Sequence, residues 1–204
     1  MGLFSVDGGL YKFFSRLWDI IVLNFLWLLF SLPIVTIGAS TVAAFSVALK
    51  MVDDEEGYVG RMFIKAWKEN WKQGIVLGLI ALAAGYVVYL NFALFNAIES
   101  NPLPLLIIGF IAGVYFLLSL LYAFPLAARY HNTILRILRN SMQISMKYFV
   151  RTFILILMIV AIVGLALWNQ TTILVGLLIG PAFLIFTIAA FSKRIFQKIE
   201  KDQQ

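Results

Sequence analysis

Several stretches of about 18 or more apolar residues constrain this chain more than any other feature, because each is long enough to cross a bilayer as a helix. Hydrophobic residues make up 62% of the 204 positions and charged residues 13%, whereas soluble domains are about half apolar and about a quarter charged. The stretches lack the alternation of apolar and polar residues that marks a transmembrane barrel. The sequence therefore predicts an all-α, polytopic helical membrane protein.

The first hydrophobic region, residues 18–49, is interrupted at Pro33. As one helix it would be roughly 48 Å long, against about 30 Å for the hydrocarbon core. As two halves meeting at Pro33, each would be roughly 23 Å long, which is short for a full crossing. Length alone leaves open a kinked span, a re-entrant hairpin and two short spans.

The basic residues favour the hairpin. Lys12 and Arg16 precede the region, and five Lys and Arg follow it within residues 50–73. A single crossing would place one of these groups outside, whereas a hairpin keeps both on the cytoplasmic side, where Lys and Arg accumulate. Extended along the chain, this topology puts all 16 Lys and Arg and both termini in the cytoplasm. The net charge of +6 is then explained by orientation, and nucleic acid is not expected as a partner.

The chain is interpreted as one integral membrane domain over residues 1–204, with four full spans, a broken first region and two cytoplasmic amphipathic helices. In order, the segments are an interfacial lead-in (1–17), the hairpin or two short spans (18–49), an amphipathic helix (58–72), spans at 74–97 and 104–127, an amphipathic helix (132–149), spans at 152–168 and 172–191, and a cytoplasmic tail (192–204).

Two amphipathic segments are candidates for docking at the membrane surface. In residues 58–72 aromatic residues recur every four positions opposite the lysines, a pattern typical of helices at the headgroup boundary. The candidate docking residues there are Phe63, Lys65, Trp67, Lys68, Trp71 and Lys72. In residues 132–149 the predicted apolar face consists of Ile134, Leu135, Leu138, Met142 and Phe149.

The interruption itself is a second candidate site. Broken helices in transporters expose backbone groups that bind substrates, and the freed groups must be satisfied within protein or a water-lined cavity. The alternative is structural, with Thr36, Ser40 and Thr41 capping the second half and allowing close packing. The candidate residues of this break are Asn24, Trp27, Pro33, Thr36 and Gly38.

Catalytic chemistry is not expected. The predicted spans carry no Asp, Glu, Lys, Arg or His near their midpoints, there is no cysteine, and His131 is the single histidine. One histidine makes neither a metal site nor a histidine-based triad. The acidic turn of residues 51–57 is interpreted as a solvated loop, with a divalent-cation site as the weaker alternative. We therefore expect no enzyme activity, cofactor or metal.

The run NFLWLLFSLPIVTIGASTVAAF, followed by an acidic loop and FIKAWKENWKQG, resembles the YesL family of bacterial membrane proteins. The resemblance lies in the pattern of Asn24, Trp27, Pro33, Thr36 and Gly38. It extends more weakly to FPLAARYHNTILRILRNSMQISMKYFVRTF. It implies a protein of the bacterial cell membrane, a frequent association with carbohydrate-uptake genes, and no established catalytic residues.

Three functions fit these expectations. The first is an accessory or regulatory subunit that acts with a membrane transporter. The resemblance implies that this transporter carries carbohydrate. The second is a small stand-alone transporter or channel for a neutral solute, built as a homo-oligomer around the broken helix. The third is a lipid-surface organiser that binds the bilayer through residues 61–72.

Overall fold

The structure, a computed structural model, describes residues 9–55, 57–98 and 103–201. Its helices are α1 (Gly9–Ser31), a 3₁₀ turn (Ile34–Thr36), α2 (Ile37–Val52), α3 (Val59–Ala97), α4 (Leu103–Leu121), α5 (Ala123–Arg129), α6 (Ile134–Lys147), α7 (Phe149–Ala166) and α8 (Gln170–Lys201).

The predicted all-α membrane fold is confirmed. Across the three described ranges there is no strand, and six segments are long and apolar enough to cross a membrane. They are Lys12–Ser31, Ile34–Val52, Val59–Ala97, Leu103–Arg129, Phe149–Ala166 and Gln170–Lys201. Large apolar side chains are exposed along most of them, as expected of helices that face lipid.

The first region forms two helices joined by the 3₁₀ turn. α1 begins at Gly9, so residues 9–17 of the predicted lead-in belong to the same helix as the first hydrophobic half. The two apolar segments have 20 and 19 residues, or about 30 Å each at 1.5 Å per residue, which is longer than the sequence suggested. Arg16 near the start of α1 pairs with Asp54 just after α2, so the chain returns to the end where it began.

The amphipathic segment 58–72 and the span 74–97 form one continuous helix, α3. The reason is a single buried stripe whose members recur every three or four positions, as one helix face requires. The stripe consists of Val59, Phe63, Ala66, Asn70, Gly74, Leu77 and Gly78. It passes through both segments, and it packs mainly on α2.

The predicted span 104–127 is divided into α4 and α5, with a turn at Tyr122. Pro125 has no N–H to donate to the carbonyl of Leu121, which explains why α4 ends there. At the other end of the chain, α8 continues through Lys201, and Ser192, Ile195 and Phe196 are buried. The predicted cytoplasmic tail is therefore, as far as Lys201, a packed extension of the last helix.

α2 is the centre of the bundle. In its apolar segment 61% of the residues are buried, against 22% or less in the other five. α1, α3, α5 and α8 all contact it. Its buried residues are mostly small, including Gly38, Ala39, Ala43, Ala44 and Ala48, which lets neighbouring backbones approach closely. The other helices surround it and present their remaining apolar faces outward.

Candidate functional site

The side chain of Asn24 on α1 bonds to α8 next to a proline inside that helix. Pro181 lies inside α8 and leaves the carbonyl of Leu177 without its usual N–H donor. The Asn24 side chain, 1% exposed, donates its Nδ2 to the carbonyls of Leu177 and Leu178, both at 2.9 Å. Its Oδ1 accepts the N–H of Ala182 at 3.1 Å. One amide thus replaces the lost bonds of α8 from a neighbouring helix.

The remaining break residues form the corner between α1 and α2. Trp27 donates its indole N–H to Thr41 Oγ1 at 3.1 Å. The Thr36 hydroxyl donates back to the carbonyl of Phe30 at 2.6 Å, with the carbonyl of Pro33 as an alternative acceptor at 2.7 Å. Thr36 therefore closes the end of α1.

The expectation that three hydroxyls cap α2 is wrong. The Thr36 side chain makes no capping bond to α2, while Ser40 and Thr41 donate to the carbonyls of Thr36 and Ile37 one turn earlier. Hydroxyls that bond back along their own helix satisfy themselves inside an apolar bundle. Those of Ser40 and Thr41 are therefore already occupied within α2.

Gly38 makes the tightest helix contact of the bundle. A Cβ atom placed on Gly74 would lie 2.5 Å from the Cα of Ala39. A Cβ on Gly78 would lie 2.7 Å from the Cα of Gly38. The backbones of α2 and α3 touch at this point, so the break, Asn24, Trp27, Thr36 and Gly38 all serve helix packing.

The acidic turn after α2 holds two helices in place. Asp53 pairs with Lys193 of α8, and Asp54, whose φ is +54°, pairs with Arg16 of α1. Lys193 is 8% exposed, so its charge is largely removed from solvent and needs this partner. The two carboxylates thus have structural partners, and the basic ends of α1, α2 and α8 meet here. We call this end of the bundle the basic end.

One predicted docking residue on α3 is not available. Phe63 is fully buried and packs edge-on against Phe30, with the ring centroids 5.4 Å apart. Trp67 is half-buried and also contacts Phe30. The prediction that these rings face the membrane surface is therefore corrected, because α2 and α1 cover that face of α3.

The lysines of the same segment remain free to interact. Lys65, Lys68 and Lys72 are exposed, and the Lys72 ammonium lies 5.5 Å from the ring centroid of Trp71. Trp71 is 41% exposed. Three lysines and one tryptophan therefore form an exposed basic face on α3.

The buried face of α6 is not the apolar face that the sequence predicts, but one rotated from it about the helix axis. Its buried residues are Ile137, Ser141, Ile144 and Ser145. Ser145 donates to the carbonyl of Leu118 on α4 at 2.9 Å, which brings the two backbones together. Leu135 and Phe149, two residues of the predicted apolar face, are 81% and 64% exposed. The serines could not be recognised as packing residues because their partner carbonyl lies on another helix.

A cleft of about 400 Å³ opens at the basic end between α5, α6 and the last turns of α8. Its lining combines an apolar wall with a polar rim, a composition typical of ligand pockets. The wall consists of Leu126, Ile137, Ile144, Phe196 and Ile199. The rim consists of Tyr130, Asn132, Asn140, Gln143, Lys147 and Glu200.

The charged part of this rim is already paired. Glu200 accepts a bond from Arg129 at 3.0 Å and another from the Tyr130 hydroxyl. Burial, together with the hydrogen bond to Glu200, raises the pKa of Tyr130 to about 12. The phenol is therefore neutral at physiological pH and locks the end of α8 to the end of α5.

The sequence interpretation did not single out the cleft. One signal was available: nine Lys and Arg but only two acids follow residue 100. Such an excess leaves several cations without carboxylate partners. The positions of these cations depend on how α5, α6 and α8 pack, which the local pattern does not show.

Comparisons with known proteins agree with the resemblance seen in the sequence. Residues 20–92 match the family model described as a protein of unknown function, DUF624. The chain is 26% identical to the uncharacterized protein YesL of Bacillus subtilis (strain 168), over 98% of this chain and 95% of that protein. No solved structure matches significantly. The matched segment contains α2, both sides of the first break and the acidic turn, and the resemblance to the YesL family is confirmed over nearly the whole chain.

Proposed function

We propose that this membrane protein is an accessory or regulatory subunit, without enzymatic activity of its own, that binds a partner membrane complex through its basic end. The observation that carries the proposal is a contrast between a buried polar side chain on α1 and the exposed lysines on α3. Asn24, the buried amide of α1, makes all of its described hydrogen bonds to the backbone of α8. The lysines of the exposed basic face on α3 form no ion pair with a described carboxylate, and Lys72 contacts only the ring of Trp71 in the same face.

The break between α1 and α2 also supports an accessory subunit over a stand-alone transporter. A substrate site at a broken helix needs free backbone or side-chain groups. Here the Thr36 hydroxyl donates to the carbonyl of Phe30. The Asn24 amide bonds to the carbonyl of Leu177 and to the N–H of Ala182. The interruption is thus explained by packing around α2.

The partner and the membrane follow from the resemblance and the charges. The YesL-like pattern implies a carbohydrate transport system as the partner and the bacterial cell membrane as the location. All 16 Lys and Arg lie on segments that begin or end at the basic end. The positive-inside rule then places the basic end, with both termini, in the cytoplasm.

The decisive experiment is an affinity purification in mild detergent from the native membrane, followed by mass spectrometry. We expect a stoichiometric transporter component to co-elute with the wild-type chain. Reversing the charges of Lys65, Lys68 and Lys72 to Glu should release it, because the α3 face would then repel an acidic partner surface. The matched control reverses three other exposed residues, Arg136, Arg139 and Arg194, and should retain the partner.

Two results would overturn this function. Elution of a homo-oligomer alone would point to a channel, and solute flux by the purified protein in liposomes would establish a stand-alone transporter. Equal loss of the partner in both charge-reversed variants would place docking elsewhere than on α3. Each of these outcomes concerns a partner protein or a solute, and none depends on lipid binding.

A further inference from the structure

Three cations from three helices converge on one aromatic ring at the basic end. The ring is Tyr148, the single residue between α6 and α7. Lys147 Nζ lies 5.6 Å from its centroid, Arg151 Cζ 5.9 Å and Lys198 Nζ 5.9 Å. Cations within about 6 Å of a tyrosine ring are attracted to it, so the ring holds the three charges near one another.

No carboxylate of the described residues forms an ion pair with these three cations. Within the described part of the chain, the ion pairs are Arg16 with Asp54, Arg129 with Glu200, and Lys193 with Asp53. Glu200, the carboxylate nearest to Lys198 along α8, is thus committed to Arg129 and Tyr130. Because like charges in close proximity repel, the cluster of Lys147, Arg151 and Lys198 favours an anionic group between them.

An apolar strip leads away from this cluster along α7. Phe149, Val150 and Phe153 are 64%, 71% and 52% exposed. The rings of Phe149 and Phe153 are stacked, with centroids 6.5 Å apart. α7 begins at the basic end and is one of the six membrane-length helices. The strip therefore runs from the charged cluster toward the hydrocarbon.

We propose that the Tyr148 cluster binds an anionic phospholipid of the surrounding bilayer. The phosphate lies among Lys147, Arg151 and Lys198, and an acyl chain follows the strip of Phe149, Val150 and Phe153. Charge complementarity selects the anionic headgroup, and the adjacent strip selects a membrane lipid over a soluble phosphate. The site is separate from the exposed basic face on α3, and the proposal stands independently of the proposed function.

The test measures lipid binding to the delipidated full-length protein in detergent. Native mass spectrometry and thermal stabilisation are recorded with phosphatidylglycerol, phosphatidylcholine and glycerol phosphate. We expect phosphatidylglycerol alone to bind and stabilise the wild-type chain. Replacing Lys147, Arg151 and Lys198 by Gln should weaken its apparent affinity about a hundredfold, since each basic residue contributes roughly fivefold.

Two matched controls carry the same loss of charge at other places. Replacing Lys65, Lys68 and Lys72 by Gln should leave the affinity within about threefold of wild type, because these lysines lie on α3. The second control compares two single substitutions on α8. Lys198→Gln should weaken binding about fivefold, whereas Arg194→Gln should leave it unchanged. Both single substitutions are at exposed positions, so folding is not at risk.

The possible outcomes separate the sources of the anion. Equal loss in the cluster variant and the α3 variant would mean diffuse surface charge, which overturns the site. Equal stabilisation by glycerol phosphate would mean a soluble phosphate ligand, which overturns the lipid assignment. Equal binding of phosphatidylcholine would remove the role of the charge.

Discussion

At the residue scale, Asn24 shows how one polar side chain is tolerated in an apolar bundle. It is 1% exposed, and a buried amide is costly unless its donors and acceptor are bonded. All three of its bonds go to backbone groups that Pro181 has disturbed in α8. Asn24 and Pro181 therefore form one structural unit, although they are 157 positions apart.

We predict that Asn24→Leu destabilises the protein by about 1–3 kcal/mol, because the carbonyl of Leu177 and the N–H of Ala182 lose their partner in the interior. The measurement is thermal or denaturant unfolding in detergent. Adding Pro181→Ala should recover part of the loss, since the restored N–H can bond to Leu177.

The control for this substitution is Asn91→Leu on α3. The Asn91 Oδ1 atom is buried without a hydrogen-bond partner among the described residues. Its removal should therefore cost less than removal of Asn24. Equal effects of the two substitutions, with no recovery by Pro181→Ala, would show that Asn24 does not repair α8.

We also predict that Tyr130 ionises later than an ordinary tyrosine. Its pKa is raised to about 12 by burial and by the bond to Glu200, against about 10 in an unfolded chain. Its contribution to stability is thus complete below pH 10 and is lost as pH rises through 12. An ultraviolet absorbance titration should show one late phenolate in the wild type that the Tyr130→Phe variant lacks.

Glu200→Gln tests the cause of this late ionisation. The substitution removes the negative charge next to the phenol, so the pKa of Tyr130 should fall toward its usual value. A titration curve identical to that of the wild type would show that Glu200 has no part in it.

At the element scale, the fold depends on how closely α3 approaches α2. The contact is made by backbone on backbone at Gly38, Gly74 and Gly78. Small residues permit such contacts, and membrane helices gain van der Waals energy from them. This contact also explains why α3 is one helix: the charged first half and the apolar second half share the same buried stripe.

We predict opposite effects for two glycine substitutions on α3. Gly74→Ala should destabilise by about 1–3 kcal/mol, because the new Cβ forces α2 to move away. Gly60→Ala, where a Cβ meets nothing within 4 Å, should be neutral or stabilise by up to about 1 kcal/mol through helix propensity. Unfolding in detergent measures both, and equal shifts would argue against the close contact.

At the scale of the whole molecule, six membrane-length helices return the chain to one end. Asp53 and Asp54 join α8 and α1 to the end of α2, so the start of the first helix and the end of the last lie together. We expect this separation of charge to orient the bundle in the membrane, because the opposite connections carry only Glu99 in the sequence. Glu99 itself lies outside the described residues.

The orientation predicts which thiols react from outside the cell. The chain has no native cysteine, and Gln170 and Lys201, at the two ends of α8, are both exposed. In intact cells an impermeant thiol reagent should label Gln170→Cys and not Lys201→Cys. Opening the membrane should expose the second site, and labelling in the reverse order would invert the proposed topology.

The sequence by itself was sufficient for the fold class and for the break at Pro33, because apolar length and proline chemistry are local properties. It also marked Asn24, Trp27, Thr36 and Gly38 as unusual. Their roles were decided only by tertiary structure, since the partners of Asn24 lie on α8 and those of Gly38 on α3.

The faces of the amphipathic helices were likewise decided by packing. Helical periodicity places Phe63, Trp67 and Trp71 on one side of α3, but it does not say whether lipid, water or another helix covers that side. Phe63 is completely buried against Phe30 of α1, whereas Trp71 is 41% exposed. The approach of Lys198 to Tyr148 has the same origin: Lys147 and Arg151 are neighbours of Tyr148 in sequence, whereas α8 brings Lys198 to the ring only through packing.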